Sequence, residues 1–280
     1  MEFENLHADC QRLTIKLTER WIGAQDILIT KNNQSNMKKL TVHRELEFSY
    51  ASCYTKNGTP IANSPTSIVF TKPLRDKVSE ITTLVKEYIK KNGYDFEKVR
   101  DYTYSLWPDE LEGNVRDNRK TILDFMEIDA DSYSGAKAVV RKRIKDIFDQ
   151  FPPTRQEYCF KKITIYRKGE KLDDEFYLLI SPMIVWTERV YEKSLFYNYY
   201  ESCMIRFDSY EEWANSNKID YDPVQITLPA KYRDLQVIHL CRSIFVSDGL
   251  KKKLLSEVCH TYERDRATGY EFGYRLLFDE

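Results

Sequence analysis

Apolar residues recur along this chain with two different periods, and the longer period marks the helices. The clearest helix is predicted over Pro73–Lys91, where the apolar residues keep to one face: Leu74, Val78, Ile81, Val85 and Ile89. Pro73 suits the first turn of a helix, and Asn92-Gly93 supplies the stop. The same spacing predicts helices over residues 3–22, Asp95–Leu106, Asn118–Glu127, Ser134–Phe148 and Tyr210–Asn215, the last with Trp213 turned inward.

The shorter period places apolar residues at every second position and predicts strands. The best hairpin pairs Tyr158–Tyr166 with Phe176–Ile180 around the polar stretch RKGEKLDDE. Further strands are predicted over Asp26–Thr30, Leu40–Thr55, Ser67–Thr71, Met183–Tyr191, Ser202–Phe207 and Gln225–Leu228.

The strongest local pattern lies near the end, over Leu235–Phe272. An apolar run from Val237 to Val246 predicts one buried strand. Ser247 or Asp248 can cap a following helix whose core stripe is Leu250, Leu254, Leu255 and Val258. Lys251, Lys252 and Lys253 are expected on its solvated side. The polar run Tyr262–Thr268 predicts a turn, and the alternation in Tyr270–Phe278 predicts a last half-buried strand.

These segments predict an α+β protein, because strands and helices are segregated along the chain instead of alternating. The N-terminal half is predicted to be helix-rich with a few strands. The C-terminal half is predicted to be an antiparallel sheet with two short helices. Phe151-Pro152-Pro153 marks the boundary between the helix-rich half and the sheet-forming half. We therefore predict an N-terminal region over residues 1–150 and a C-terminal sheet domain over residues 151–280.

Composition is typical of a globular cytoplasmic protein. The hydrophobic content of 42% can supply a core, and 43 basic against 44 acidic residues leave a formal charge of −1. Because the strongly basic surface of a nucleic-acid binder is missing, such a partner is not favoured. We find no secretory signal and no run of about 20 apolar residues, so we expect no membrane partner. The six scattered cysteines indicate reduced thiols and a cytoplasmic location.

No motif for catalysis, cofactor binding or metal binding is recognisable, so the sequence predicts a non-enzymatic protein without cofactor or metal. With 9 glycines in the chain, neither common phosphate-binding glycine motif occurs, and G-x-S-x-G is absent. A metal site built from His239, Cys241, Cys259 and His260 is geometrically possible. Structural zinc sites, however, usually carry closely spaced ligand pairs, so we expect core thiols and polar imidazoles here.

The segment from Asp109 to Asp131 is the one strongly acidic region, because its carboxylates outnumber Arg116, Arg119 and Lys120. An acidic surface can steer a basic partner into contact. Trp107, at its edge, fits two roles equally: an exposed anchor for the partner or a core residue that ends a helix. The predicted partner-binding residues are Trp107, Asp109, Glu110, Glu112 and Asp117. The basic side of Ser134–Phe148 is expected to be a solvated helix face that binds no phosphate.

Two other functions stay open. Pro108-Asp109 followed by Glu110 is similar to the start of a metal-dependent nuclease motif. The Glu and Lys that such a site needs on an adjoining strand do not follow at a usable distance in the sequence. The aromatic surplus, with 20 tyrosines and 14 phenylalanines, would also suit a scaffold component of a larger assembly.

The runs IFVSDGLKKKLLSEV (Ile244–Val258) and TGYEF (Thr268–Phe272) resemble the C-terminal pattern of a family of bacterial immunity proteins associated with polymorphic toxins. In that pattern a strand ends in a V-S pair, a short leucine-bearing helix follows, and a T-G-x-x-F strand closes the domain. The resemblance covers about the last forty residues and not residues 1–150. It implies a cytoplasmic, non-enzymatic protein that binds a toxin domain and neutralises it. It supplies no toxin-contacting residues.

Overall fold

The computed structural model describes residues 44–45, 68–116, 124–128, 130–198, 203–216, 221–240, 243–257 and 275–279. All of them belong to one compact unit, residues 41–280. The predicted helix over residues 3–22, the predicted strand Asp26–Thr30 and the predicted turn Tyr262–Thr268 lie outside the described residues. Of the predicted strand Leu40–Thr55, only residues 44–45 are described, and these two are extended.

Strands and helices in the described ranges form a mixed α+β fold with three sheets. The helices are α1 (Lys72–Asn92), α2 (Phe96–Leu106), α3 (Lys142–Phe148), α4 (Tyr210–Asn215) and α5 (Asp248–Glu257). The strands are β1 (Arg44–Glu45), β2 (Ile68–Phe70), β3 (Glu112–Val115), β4 (Phe125–Glu127), β5 (Ala136–Arg141), β6 (Cys159–Arg167), β7 (Glu170–Lys171), β8 (Phe176–Ile180), β9 (Leu195–Asn198), β10 (Cys203–Ile205), β11 (Tyr221–Leu228), β12 (Val237–Leu240), β13 (Ser243–Val246) and β14 (Arg275–Phe278).

The largest sheet has the strand order β2-β3-β6-β8-β5-β4, with β7 paired to the end of β6. The predicted hairpin is confirmed as β6 and β8, which pair antiparallel. Its tip turns at Lys168 and Gly169, whose φ angles of 51° and 84° are the left-handed pair of a tight hairpin turn. A bridge between Ile68 and Ile128 joins β2 to the residue that follows β4, so the two ends of the strand order meet.

Side chains from both faces of this sheet are buried. One face packs against α1 and α2 in a cluster that includes Val78, Ile81, Ile165 and Phe176. Both helices match their predictions, and the Asp95 side chain caps α2 by accepting from the Lys98 backbone N–H at 3.0 Å. The opposite face is covered over β5 and β8 by α3 and α5.

Two predicted helices are wrong in this sheet. Ser134–Phe148 was predicted as one helix, but residues Ala136–Arg141 form strand β5, and only Lys142–Phe148 is helical. Asn118–Glu127 was also predicted as a helix, yet its end, Phe125–Glu127, is strand β4, paired antiparallel with β5. In both segments β-branched and aromatic side chains complete the sheet, and this tertiary pairing overrides the local helical spacing.

The second and third sheets hold the C-terminal part of the chain. The apolar run predicted as one strand is a hairpin, because β12 and β13 pair antiparallel with each other. Ser247 caps α5, with its Oγ 3.4 Å from the Leu250 backbone nitrogen. Leu250 and Leu254 are buried as predicted, but Lys251, expected on the solvated side, is only 8% exposed.

Other C-terminal predictions have mixed outcomes. Of the strand predicted over Ser202–Phe207, Cys203–Ile205 is a strand, whereas Arg206 and Phe207 are not. The strand over Gln225–Leu228 and the inward Trp213 of α4 are confirmed. Met183–Tyr191 is not a strand: Met183 forms one bridge to His239, and short 3-10 turns follow at Trp186–Glu188 and Tyr191–Lys193. The closing strand β14 is parallel to β11, so this part is not purely antiparallel.

The predicted boundary at Phe151 does not separate two sheets. Strands β2 to β5 precede it and β6 to β8 follow it, and all of them belong to the largest sheet. Side-chain contacts cross the boundary as well, since the Tyr94 hydroxyl donates to the Met183 carbonyl at 3.2 Å and the Arg155 guanidinium pairs with Glu97. None of the described helices combines the length and apolar character of a bilayer-crossing segment.

Replacing Gly113 with alanine should destabilise the fold. A Cβ atom there would lie 2.7 Å from Ile68 Cγ2 and 3.3 Å from Ile165 Cδ1, and both isoleucines are buried. Because the core must shift to admit it, we expect the free energy of unfolding to fall by about 1–3 kcal/mol in denaturant titrations. The exposed neighbour Asn114, replaced by alanine, should change it by less than about 0.5 kcal/mol. Equal effects of the two changes would contradict this packing.

Candidate protein-binding surface

Three exposed carboxylates lie together where helix α2 passes into strand β3. Helix α2 ends at Leu106, and the cap residue Trp107 has extended backbone and is followed by Pro108. Asp109, Glu110 and Glu112 are exposed, whereas Leu111 between them is 3% exposed and packs in the core. We name residues 109–112 the acidic loop. The fourth predicted carboxylate, Asp117, lies outside the described residues.

Trp107 takes the core role of the two that the sequence allowed. Its side chain is 4% exposed, and its Nε1–H donates to the Ser134 carbonyl at 3.0 Å. A buried indole with a satisfied N–H cannot present its ring to a partner protein. The prediction that Trp107 is an exposed anchor is therefore corrected: this residue fixes the start of the acidic loop from within.

Lys161 on β6 fastens the acidic loop from the other side. Its Nζ donates to the Trp107 carbonyl at 2.9 Å, to the Pro108 carbonyl at 3.1 Å and to Asp109 Oδ1 at 3.3 Å. Charge-assisted bonds of this kind are stronger than neutral ones. Sequence reasoning missed this lysine. The sequence did contain a signal for it. Alternation along the strand places Lys161 on the same side of β6 as the buried Ile163 and Ile165.

Backbone bonds hold the remainder of the acidic loop. The Thr164 N–H donates to the Leu111 carbonyl at 2.9 Å, and the Thr71 N–H donates to the Glu112 carbonyl at 3.1 Å. The Tyr166 hydroxyl donates to Glu112 Oε1 at 3.1 Å. This bond and the carboxylate charge raise the pKa of Tyr166, since a phenolate would repel Glu112. The backbone of the loop is thus held at several points, and the Glu112 carboxylate has a defined position.

Two further carboxylates among the described residues of the predicted acidic segment, Asp124 and Asp131, are paired within the molecule. Asp124 forms ion pairs with Arg141 and Arg143. Asp131 pairs with Lys86 at 2.9 Å and accepts the Tyr133 N–H. Among the described residues of the segment, the acidic charge is therefore concentrated in the acidic loop, where one of the three carboxylates, Asp109, pairs with the Lys161 ammonium.

The predicted basic helix face is also largely neutralised within the molecule. On α3, Lys142 pairs with Asp146 at 2.7 Å and Lys145 pairs with Asp149 at 2.6 Å. Arg141, which lies on β5, contacts Asp174 at 3.2 Å in addition to Asp124. Exposed pairs of this kind contribute at most about 1 kcal/mol each to stability, but they cancel the local field.

A nuclease site is incomplete here, although its lysine is nearer than the sequence suggested. Lys161, on the strand beside β3, lies next to Asp109, which corrects the expectation that no lysine follows at a usable distance. Its neighbours on the same side of β6 are Cys159 and Ile163, and neither is a carboxylate. Burial raises the pKa of the Cys159 thiol to about 11, so it carries no charge to hold a cation.

Metal-ligating groups do not converge elsewhere in the described ranges, where no cluster of three His, Cys, Asp or Glu side chains occurs. His239 is 1% exposed, and its Nδ1 lies 2.7 Å from the Ser181 carbonyl oxygen. The other members of the possible metal set, Cys241, Cys259 and His260, lie outside the described residues. No protein-family model and no curated protein matches this sequence.

Replacing Lys161 with methionine should loosen the acidic loop. The change keeps the aliphatic stem and removes the donor to two carbonyls, so we expect a loss of about 1–3 kcal/mol in the free energy of unfolding. Amide hydrogen exchange at residues 109–112 should accelerate as well. The neighbouring Lys162, which pairs only at the surface with Glu175 at 2.9 Å, is the matched control, and Lys162→Met should change neither measurement appreciably. If amide hydrogen exchange at residues 109–112 is unchanged in Lys161→Met, Lys161 does not hold the acidic loop in place.

Proposed function

We propose that this protein is a non-enzymatic binding protein of the cytoplasm that captures a bacterial toxin domain with a basic surface and neutralises it. The observation that carries this proposal is the acidic loop. Asp109, Glu110 and Glu112 are exposed, and the buried Trp107 and the Lys161 ammonium hold the backbone beneath them. A pre-formed charged surface raises the rate of association with an oppositely charged partner and excludes partners of like charge.

The toxin as partner is supported by the C-terminal resemblance. The residues that carry the resemblance, Ile244–Val258, include most of strand β13 and helix α5. The closing T-G-x-x-F part, Thr268–Phe272, lies outside the described residues. Because the pattern carries no contact residues, the binding surface rests on the acidic loop alone.

Charge reversal of the acidic loop should abolish partner capture. We expect the triple variant Asp109→Lys, Glu110→Lys, Glu112→Lys to bind the partner at least tenfold more weakly than the unchanged protein, because attraction becomes repulsion at three positions. The partner is isolated from the native host with the unchanged protein as bait, and its affinity for each variant is measured by calorimetry at low and high salt. Salt should weaken the unchanged complex appreciably and the complex of this triple variant much less.

A matched control carries the same charge change elsewhere on the surface. Glu87, Glu170 and Asp173 are exposed and lie outside the acidic loop, and their replacement by lysine should leave the affinity within about twofold. If the two triple variants bind equally well, the acidic loop is not the contact surface.

A metal-dependent nuclease is the second candidate, because Asp109 and Lys161 are in contact. Purified protein incubated with single- and double-stranded DNA and RNA and with Mg²⁺ or Mn²⁺ should leave every substrate intact. Cleavage that disappears in Asp109→Asn would replace the binding proposal with a catalytic one. A scaffold role would show as self-association, so the mass of the purified protein in solution should correspond to one chain of 33.3 kDa.

A further inference from the structure

We propose that the buried Glu157 carboxylate is an acid-sensitive latch, which fastens the segment before strand β12, and through it the start of helix α5, to the turn that precedes strand β6. This inference goes beyond the proposed function and does not depend on it. It assigns to the fold a local opening that responds to pH while the largest sheet stays folded.

Both oxygens of the Glu157 carboxylate accept backbone N–H groups inside the molecule. The residue is 0% exposed. Its Oε2 accepts the Arg155 N–H at 2.9 Å, and its Oε1 accepts the Gln236 N–H at 2.7 Å. Gln236 is 79 residues from Glu157 in the sequence, so the second bond joins two distant parts of the chain. Bonds to a charged acceptor are among the strong hydrogen bonds of proteins, and a buried donor that loses its acceptor destabilises the structure.

A proton on this carboxylate changes what it can accept. An ionised carboxylate is an acceptor at both oxygens, whereas a protonated one carries an O–H group at one of them. Two N–H donors then face one acceptor, and one donor loses its partner. We expect the Gln236 N–H to be released, because Arg155 is only 2 residues from Glu157 and its turn is held by other bonds as well.

The turn that precedes β6 is held from helix α2. The Arg100 guanidinium donates to the Arg155 carbonyl, and the Tyr104 hydroxyl donates to the Gln156 carbonyl at 2.8 Å. Gln156 has a φ angle of 53°, in the left-handed region that few residues other than glycine adopt. This conformation brings the Glu157 side chain back to the Arg155 N–H. Because the two bonds from α2 do not involve the carboxylate, the turn keeps its place when Glu157 takes up a proton.

Gln236 connects the carboxylate to the start of helix α5. Its backbone carbonyl accepts the Ser247 N–H at 3.0 Å, and its side-chain Oε1 accepts the Ser247 hydroxyl at 2.6 Å. The same hydroxyl oxygen caps α5, at 3.4 Å from the Leu250 backbone nitrogen. If Gln236 moves, Ser247 therefore loses two bonds that position it. The latch thus extends from Glu157 to the first turn of α5.

The Glu157 charge is stabilised by backbone donors and not by a cation. Within the described ranges no ion pair involves Glu157, and the Arg155 guanidinium is engaged with Glu97 and with the Lys231 carbonyl at 2.6 Å. Burial raises the pKa of Tyr158, and the negative charge of Glu157 raises it further, so this phenol stays neutral.

A second titratable group lies close to the turn. The Nδ1 atom of His239 on β12 is 2.7 Å from the Ser181 carbonyl oxygen, and the Ser181 hydroxyl donates to the Glu157 carbonyl at 3.0 Å. Histidine also changes its charge in mildly acidic solution, so the test must separate it from Glu157. The other titratable or charged groups near the turn are Glu97, Arg100 and Tyr104 on α2, Cys159 on β6, and Lys231, Arg233 and Asp234 before β12.

Amide hydrogen exchange of the full chain, followed by NMR from about pH 7 to about pH 4, tests the latch. Protection factors, which are corrected for the intrinsic pH dependence of exchange, should fall by about tenfold or more at Gln236 and Ser247. The amide of Leu178, in the middle of β8, should keep its protection. Glu157→Gln keeps one oxygen and places an amide NH₂ group at the other position, so it should show the low protection already at neutral pH.

Glu170→Gln is the matched control, because it makes the same chemical change at the exposed hairpin tip and should leave the protection of Gln236 unaltered at every pH. Constant protection of Gln236 in acid, an equal loss at Leu178, or wild-type protection in Glu157→Gln overturns the inference. A pH dependence that persists in Glu157→Gln also overturns it, because His239 or another group is then the sensor.

The unchanged protein decides the question if Glu157→Gln does not fold. The carboxyl carbon of Glu157 should titrate in NMR spectra with the same midpoint as the loss of protection at Gln236. Different midpoints contradict the latch.

Discussion

The largest sheet depends on the burial of strand β8 on both of its faces. Phe176, Leu178 and Ile180 are at most 1% exposed and pack with α1, while Leu179 packs with α3 and α5 on the opposite side. Each such side chain contributes about 1.5–3 kcal/mol relative to an exposed position. A strand buried in this way also needs hydrogen-bonding neighbours on both edges, and β5 and β6 supply them. β6 is thereby fixed, and β3 with the acidic loop is fixed to β6.

Helices α1 and α2 and the β6–β8 hairpin could be predicted because their signals are local: an apolar stripe, a cap and a polar turn. Strand β5 could not be predicted, because its buried residues have a spacing that is typical of a helix. Ala136 and Val139 pack in one core cluster, and Ala138 and Val140 pack in another. A strand with strict alternation would not place residues three apart on one face. The register shifts between Ala136 and Ala138, and this bulge reverses the parity and creates the helical spacing.

The acidic loop, too, could be predicted only in the part that depends on residues close to it in the sequence. Its three exposed carboxylates around a buried leucine could be predicted from neighbouring residues. The groups that fix it could not, because they come from far along the chain. The Lys161 ammonium is 52 residues from Asp109, and the carbonyl that accepts from Trp107 is 27 residues away. From the sequence, Trp107 at the end of a helix could lie on the surface or in the core. Its core position depends on Ser134, whose carbonyl accepts the indole N–H.

Net charge is a poor guide to the binding properties of this molecule, because several of its exposed charges are paired at short range. At physiological salt the screening length is about 8 Å, so a partner senses only the charges close to its own contact surface. Around α3 and β5 the pairs cancel, as Lys142 with Asp146 shows. Among the residues that the structure describes, the Lys161 ammonium is shared between Asp109 and two carbonyls, and no ion pair involves Glu110 or Glu112. Since the loop backbone is already ordered, a partner that binds there loses little conformational freedom in this chain, and more of the attraction remains as affinity.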